Sequence, residues 1–263
     1  MKKIYILPLF AFFTLILSAG IIHADKKKFA RSYTFHTLPA KALELELWST
    51  GRFEKNDGQY YRWQPRIEVE YGVTDRLTAA LYLNMNEVKS YNNATASKAL
   101  SISTSSMEFR YRLANQDEFI VDPALYFEFG YGGDKLFYEP KILLSKQFGN
   151  FTSVINFISE IERYTAASST ESKFEITMGL AYDISPNFSL GLEFRNHRNY
   201  TDIYSAEKNQ ASFLGPTVSF QSDRIYFVVN FLTQISGSPS TRSGLDLSGH
   251  EKYELRTILG IEL

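Results

Sequence analysis

The sequence predicts an all-β chain, a twelve-stranded antiparallel transmembrane β-barrel with short periplasmic turns and longer extracellular loops. Three observations predict it. From Ala42 onward the chain alternates apolar and polar residues at period two, the repeat of a strand whose successive side chains face opposite ways. The alternating segments run to about 11–14 residues. Soluble strands average about five or six residues, whereas membrane-spanning strands need about 9–11. The connections between segments alternate between short and long, as they do in outer-membrane barrels, where the short side is periplasmic.

The elements follow in order. Lys2 and Lys3 precede the apolar run IYILPLFAFFTLILSAGII, which leaves through IHAD, the layout of a secretory signal peptide over residues 1–24. Cleavage is expected after Ala24, with Ala19 or Gly20 as alternative sites. The same run is about long enough to remain as a single spanning helix, the competing reading. Residues 25–41, DKKKFARSYTFHTLPAK, are expected as an N-terminal periplasmic segment, a flexible tail, with entry into the barrel mouth as the alternative. The barrel is expected over residues 42–263.

Its strands are expected near 42–53, 60–72, 75–86, 100–113, 119–131, 136–148, 151–163, 172–184, 187–199, 211–221, 224–236 and 251–263. The even-numbered strands end in short turns: GVTDRL, ANQDE, FGN, ISPN and QSDR. The odd-numbered ones lead into polar stretches such as KSYNNATASKA, RYTAASSTES, YSAEKNQ and GSPSTRSGLDLSGHE, with YGGDK after the fifth as the short exception. An even strand count returns both chain ends to the periplasm. On one face lie Leu43, Leu45, Leu47, Ile67, Val69, Tyr71, Leu125, Phe127 and Phe129, and later Phe174, Ile176, Met178, Leu180, Phe227, Val229 and Phe231. These are expected against acyl chains, with Trp63, Tyr71, Tyr131 and Tyr182 in the interfacial girdles. A soluble sandwich, with the same residues packed in a dry core, is the alternative.

Composition removes several classes of function. The formal net charge is −1, so no basic excess points to nucleic acid. The chain has no cysteine, which excludes disulfides, thiolate metal sites, cysteine nucleophiles and a lipoprotein anchor. No apolar run after Ala24 is long enough for a spanning helix, so a membrane form has to be a barrel.

A signal peptide, an even strand count and a final strand reading YELRTILGIEL together resemble Gram-negative outer-membrane β-barrel proteins, from about Ala42 to Leu263. The hairpin EVEYGVTDRLTAALYL is similar to hairpins of barrels of the MetA-pathway phenol-degradation type, described as transporters. The resemblance implies a bacterial outer-membrane location. It also implies outer-membrane lipid, the outer-membrane assembly machinery and a small solute of unknown identity as partners, and no nucleic acid. Barrels of this class usually finish on an aromatic residue, and this chain departs from that at Leu263.

With aliphatic faces toward lipid, the opposite faces are expected to line the lumen. They carry Glu44, Glu46, Glu68, Glu70, Glu108, Asp122, Glu128, Glu139, Glu160, Glu162, Glu175, Glu193, Glu254 and Glu262 against Arg62, Arg66, Arg110, Arg112, Lys141, Lys173, Arg195 and Arg256. In hydrocarbon each Arg or Lys would cost about 2–4 kcal/mol near the midplane. Two readings stay open: ion-paired networks that close the lumen, or a narrow, weakly cation-favouring passage, since acids outnumber bases.

The leading expectation is a passive channel or transporter for small solutes. A closed barrel with a structural or surface ligand-binding role comes second, and an outer-membrane hydrolase third. Barrel phospholipases place a serine just after a histidine, but His197 in EFRNHRNY is followed by Arg198 and Asn199, so His197 is expected as a polar lumen or rim residue. No catalytic residue, metal site or cofactor is expected. The close pairs Glu44/Glu46, Glu68/Glu70 and Glu160/Glu162 follow from a charged inner face without catalysis.

Overall fold

A strand edge left open in hydrocarbon strands its backbone N–H and C=O groups without partners, so a membrane-spanning sheet has to close on itself. The computed structural model, which describes residues 27–56, 58–90 and 97–263, shows that closure. Its strands are β1 (Leu43–Lys55), β2 (Gly58–Thr74), β3 (Leu77–Ser90), β4 (Lys98–Arg112), β5 (Asp122–Gly132) and β6 (Lys135–Phe148). The second half comprises β7 (Phe151–Tyr164), β8 (Ser169–Ser185), β9 (Phe188–Thr201), β10 (Ala206–Gln221), β11 (Ile225–Ser238) and β12 (Tyr253–Glu262). Each pairs antiparallel with its sequence neighbours, and β1 closes on β12 from Glu44↔Glu262 to Phe53↔Tyr253. The expected signal peptide, residues 1–24, and residues 91–96 of the connection after β3 lie outside the described residues.

The strands stop in different places from those the alternation marks. At the end holding the β11–β12 connection (the loop end), β8 begins at Ser169 and β10 at Ala206, several residues early. The polar stretches there continue the hydrogen-bonded ladder, because above the hydrocarbon both faces of a strand can meet water. At the opposite end (the turn end), β5 begins only at Asp122. Residues 113–121 fold on themselves instead: the Asp122 carboxylate accepts the Asp117 N–H at 2.8 Å, and Glu118 accepts that of Asn115 at 2.8 Å.

The two faces separate as alternation requires. Leu81, Phe127, Leu180 and Phe231 are exposed on the outer wall, while Glu68, Glu108 and Glu254 are fully buried inside. An apolar belt around a closed barrel with ionised side chains within suits an outer membrane. A soluble sandwich is excluded by the closed strand order.

Leu81 lies in the middle of the outward series of β3 and is 58% exposed. Leu81→Arg is expected to lower folding stability in lipid vesicles by about 2–4 kcal/mol, read from the urea midpoint of a tryptophan-fluorescence titration. An unchanged midpoint would mean that this side chain does not meet acyl chains.

Candidate functional site in the barrel lumen

Strand parity delivers the inner wall. Glu44, Glu46, Glu68, Glu70, Glu108, Arg110, Glu128, Lys141, Glu162, Glu193, Arg195 and Glu254 are buried, and Arg66, Glu139, Glu160, Lys173, Glu175 and Arg256 are half-buried. Arg112 is at the turn end, donating to the Asp75 carbonyl at 3.0 Å. The same parity places Trp48, Tyr82, Tyr126 and Tyr226 inside, although only the charges mark that face at first sight.

Residues 27–41, expected as a periplasmic tail, are instead packed within the barrel. Phe29, Ala30, Arg31, Ser32, Phe35 and Leu38 are all buried. An irregular segment in a lumen needs partners for its backbone, and side chains of the wall supply them. The Glu193 carboxylate accepts three consecutive N–H groups, those of Ala30 and Arg31 at 2.8 Å and of Ser32 at 2.9 Å. Asn156 bonds Tyr33 twice, accepting its N–H at 2.7 Å and donating to its carbonyl at 2.9 Å. Ser145 and Thr78 hydroxyls accept the N–H groups of Phe35 at 3.0 Å and Leu38 at 2.7 Å.

The wall is also shaped for the segment. A Cβ at Gly179 would come within 2.6 Å of the Phe29 ring, and one at Gly72 within 1.8 Å of the Pro39 carbonyl. Phe29 packs with Val154 and Ala181, while Tyr33 and Phe35 join a cluster with Ala124, Leu143, Val228 and Ile258. So the inner wall turns apolar where the segment lies.

Charge completes the seat. Lys27 bonds Glu46, Lys28 meets Asp183 at 2.7 Å, and Arg31 meets Glu254 at 2.5 Å. Burial opposes the charge on Lys27, but Glu46, Glu70 and Glu68 outweigh it and raise its pKa well above the ordinary lysine range. The carboxylates of Glu44, Glu46 and Glu70 approach one another within 4.8 Å, a spacing that could hold a cation, and the Lys27 ammonium bonds two of them, reaching Glu70 at 3.5 Å. Tyr226 donates to Glu44 at 2.7 Å.

The segment divides the lumen. On the loop side a cavity of about 580 Å³ reaches down to Arg31 and Tyr33. On the turn side a cavity of about 460 Å³ is lined by Lys28, Thr34, Phe35, His36 and Pro39. Acids dominate the whole inner face, yet the loop-side cavity is lined by ten Lys or Arg and seven Glu. The difference is one of depth: Glu44, Glu46, Glu70, Glu193 and Glu254 are engaged by the segment or by Arg195 and Tyr226, and they do not line that cavity.

Across β6–β9 the lining acids are themselves paired. Lys141 meets Glu139 at 2.9 Å, Lys173 meets Glu162 at 2.8 Å, and Arg195 meets Glu175 at 2.6 Å. The β11–β12 connection folds over the mouth, with Asp246, Leu247, His250 and Glu251 buried. Burial, with His197 and Arg195 nearby, pulls the His250 pKa down to about 2 and keeps it neutral.

His197 lies on the inner wall. Its Nδ1 contacts Glu175 at 2.8 Å and Arg195 at 2.9 Å, and its Nε2 contacts Asn199 at 3.1 Å. That places a carboxylate, a guanidinium and an amide around the ring.

Known proteins agree with the fold. A family described as "Family of unknown function (DUF6662)" matches residues 21–133 and 114–263. No curated protein matches the chain in sequence. Among solved structures, the COG4313 outer membrane channel from Pseudomonas putida F1 superposes with a TM-score of 0.64 at 12% identity, covering 87% of this chain and 98% of that one. The NanC porin gives 0.56 at 12% identity, covering 83% and 100%. The KdgM porin gives 0.52 at 7% identity, covering 84% and 99%.

Glu193 grips three N–H groups, and a hydrogen bond to a charged group contributes about 1.5–3 kcal/mol. Because the chain has no cysteine, Ser32→Cys gives a single reporter. In the folded barrel this thiol is expected to react slowly with a water-soluble maleimide, and at least about tenfold faster when Glu193→Ala is added. Equal rates would show that the clamp does not hold the segment.

Proposed function

The chain belongs to the family of unknown function DUF6662, and from that premise we propose that it is an outer-membrane channel or transporter for small solutes, obstructed by its own residues 27–38. The carrying observation is the divided lumen, two cavities of about 580 and 460 Å³ with the segment between them. Twelve strands leave more room than the eight that side chains alone can fill. Here that room is taken by a separate piece of chain with a shaped seat.

Passive diffusion through the two cavities is the mechanism this reading takes. The turn end faces the periplasm in this reading, because both β1 and β12 meet it. The similarity of the EVEYGVTDRLTAALYL hairpin to phenol-degradation-type barrels supports a transport role and names no solute. A hydrolase is disfavoured: the His197 ring is engaged by Glu175, Arg195 and Asn199 on the inner wall, where a serine nucleophile would have to stand within hydrogen-bond reach. The ion pairs across β6–β9 and the seated segment favour one second reading, a permanently closed barrel with a structural or ligand-binding role.

Planar-bilayer recording separates the two. The whole barrel is expected to give low or intermittent conductance, and deletion of residues 27–38 a steady conductance several-fold higher. If the deletion leaves conductance unchanged, the segment is not the barrier. If neither protein conducts, the channel reading fails in favour of the closed barrel.

A further inference from the structure

We propose that the loop-side cavity is a binding site for a small solute bearing an oxyanion, a carboxylate or phosphate, held by Arg62, Arg66 and Arg256. As the cargo of a channel this solute depends on the reading above; as a bound ligand it does not.

These three side chains line the cavity, and among the described residues none has a carboxylate within ion-pair distance. Their neighbour Arg52 does, reaching Glu254 at 3.4 Å and Glu251 at 3.8 Å. Glu128, on the same cavity wall, accepts the Ser106 hydroxyl at 2.6 Å and the Tyr126 hydroxyl at 2.7 Å, and supplies the main opposite charge felt by Arg66 without touching it. The opposite wall, β6–β9, neutralises its own acids. Among the described residues the cavity's bases without a carboxylate at ion-pair distance, Lys55, Arg62, Arg66 and Arg256, therefore stand on β1, β2 and β12, which adjoin one another around the barrel.

The guanidinium groups are also oriented. Arg62 and Arg66 donate through Nε to Asn86 at 2.8 Å and Asn84 at 2.6 Å. Arg256 uses Nε on Thr50 at 2.9 Å and one terminal nitrogen on the Ala30 carbonyl at 3.2 Å. Among the described residues the terminal nitrogens of Arg62 and Arg66 are left for the cavity, and those are the donors that meet carboxylate or phosphate two at a time. Stacking fixes the planes: Arg66 lies over Tyr82 at 4.4 Å and over Trp48 at 5.3 Å, and Arg256 over Trp48 at 5.2 Å.

Register brings the three together. Trp48 is opposite Arg66, Arg52 opposite Arg62, and Thr50 opposite both Gln64 and Arg256. Guanidinium groups held rigidly in a partly enclosed space, with no carboxylate in direct contact among the described residues, form a pre-organised anion site, since the geometry is set before the ligand arrives.

The test is calorimetric titration of the whole detergent-solubilised barrel with citrate and, separately, inorganic phosphate at low salt. Saturable binding that weakens as salt rises is expected for at least one probe. Arg66→Gln with Arg256→Gln should weaken it by roughly tenfold or more, and Arg66→Lys with Arg256→Lys should recover only part of the loss. Removing the exposed charge of Arg224 in the β10–β11 turn (Arg224→Gln) should leave binding unchanged. Heat-modifiable migration on gels confirms that each variant is folded. Citrate binding without phosphate binding assigns an organic acid, and the reverse assigns a phosphate. No saturable binding of either probe, or equal binding by the Gln double variant, overturns the site. A barrel that conducts without binding sinks only this proposal, and one that binds without conducting sinks only the channel.

Discussion

The grip of one carboxylate on three consecutive backbone amides sets the character of this barrel. Residues 30–32 bend, and in bending turn their N–H groups toward a common point where Glu193 stands. A peptide lying across a lumen has no neighbouring strand to pair with, and its unpaired groups would be costly if buried. Glu193, Asn156, Ser145 and Thr78 together replace the missing ladder from four different strands. The lumen can hold an irregular segment because its wall was given side chains that imitate a strand edge.

Once the segment is seated, the charge pattern follows. Lys27, Lys28 and Arg31 enter a region crowded with carboxylates, and opposite charges brought out of water together offset the desolvation each would suffer alone. The acids that dominate the inner face are thereby engaged near the segment, and the guanidinium groups nearer the loop end are left to face open space. A chain with a formal net charge of only −1 thus contains two lumen regions of unlike character, which its summed charge conceals.

Period-two alternation made the barrel legible, because lipid outside and ions inside impose opposite demands on successive residues. Glu68 and Glu70 between Ile67, Val69 and Tyr71 show this in a single strand. Parity says which face a residue occupies, and it says nothing of what stands across the lumen. Hence Glu193 was readable as a lumen residue and not as a clamp, and Arg66 as a lumen charge and not as one stacked on Tyr82 and Trp48. The segment at 25–41 was harder still. It lacks any period, its lysines suit a solvated tail, and its partners are scattered over the sequence from Glu46 to Glu254. The signal that was available lay in the wall: Gly179 and the apolar Val154, Ala181, Val228 and Ile258 occupy inward positions where charges or bulk would otherwise be expected.

The way the segment is held decides whether it can leave. Its apolar anchors are few, Phe29 and Phe35 chief among them, and most of its contacts are hydrogen bonds and ion pairs. Such contacts are strong in place, but on release both partners regain water, so a neutral one contributes a net of about 0.5–1.5 kcal/mol and one to a charged group about 1.5–3 kcal/mol. A plug of packed aliphatics would be held by a similar amount per side chain, about 1.5–3 kcal/mol, but with no bond to water to take its place on release. A polar, charge-matched seat in a lumen with cavities on both sides therefore lets water take the place of each contact as the segment is released. On the proposed channel reading, that replacement by water is what a barrier able to open would draw on.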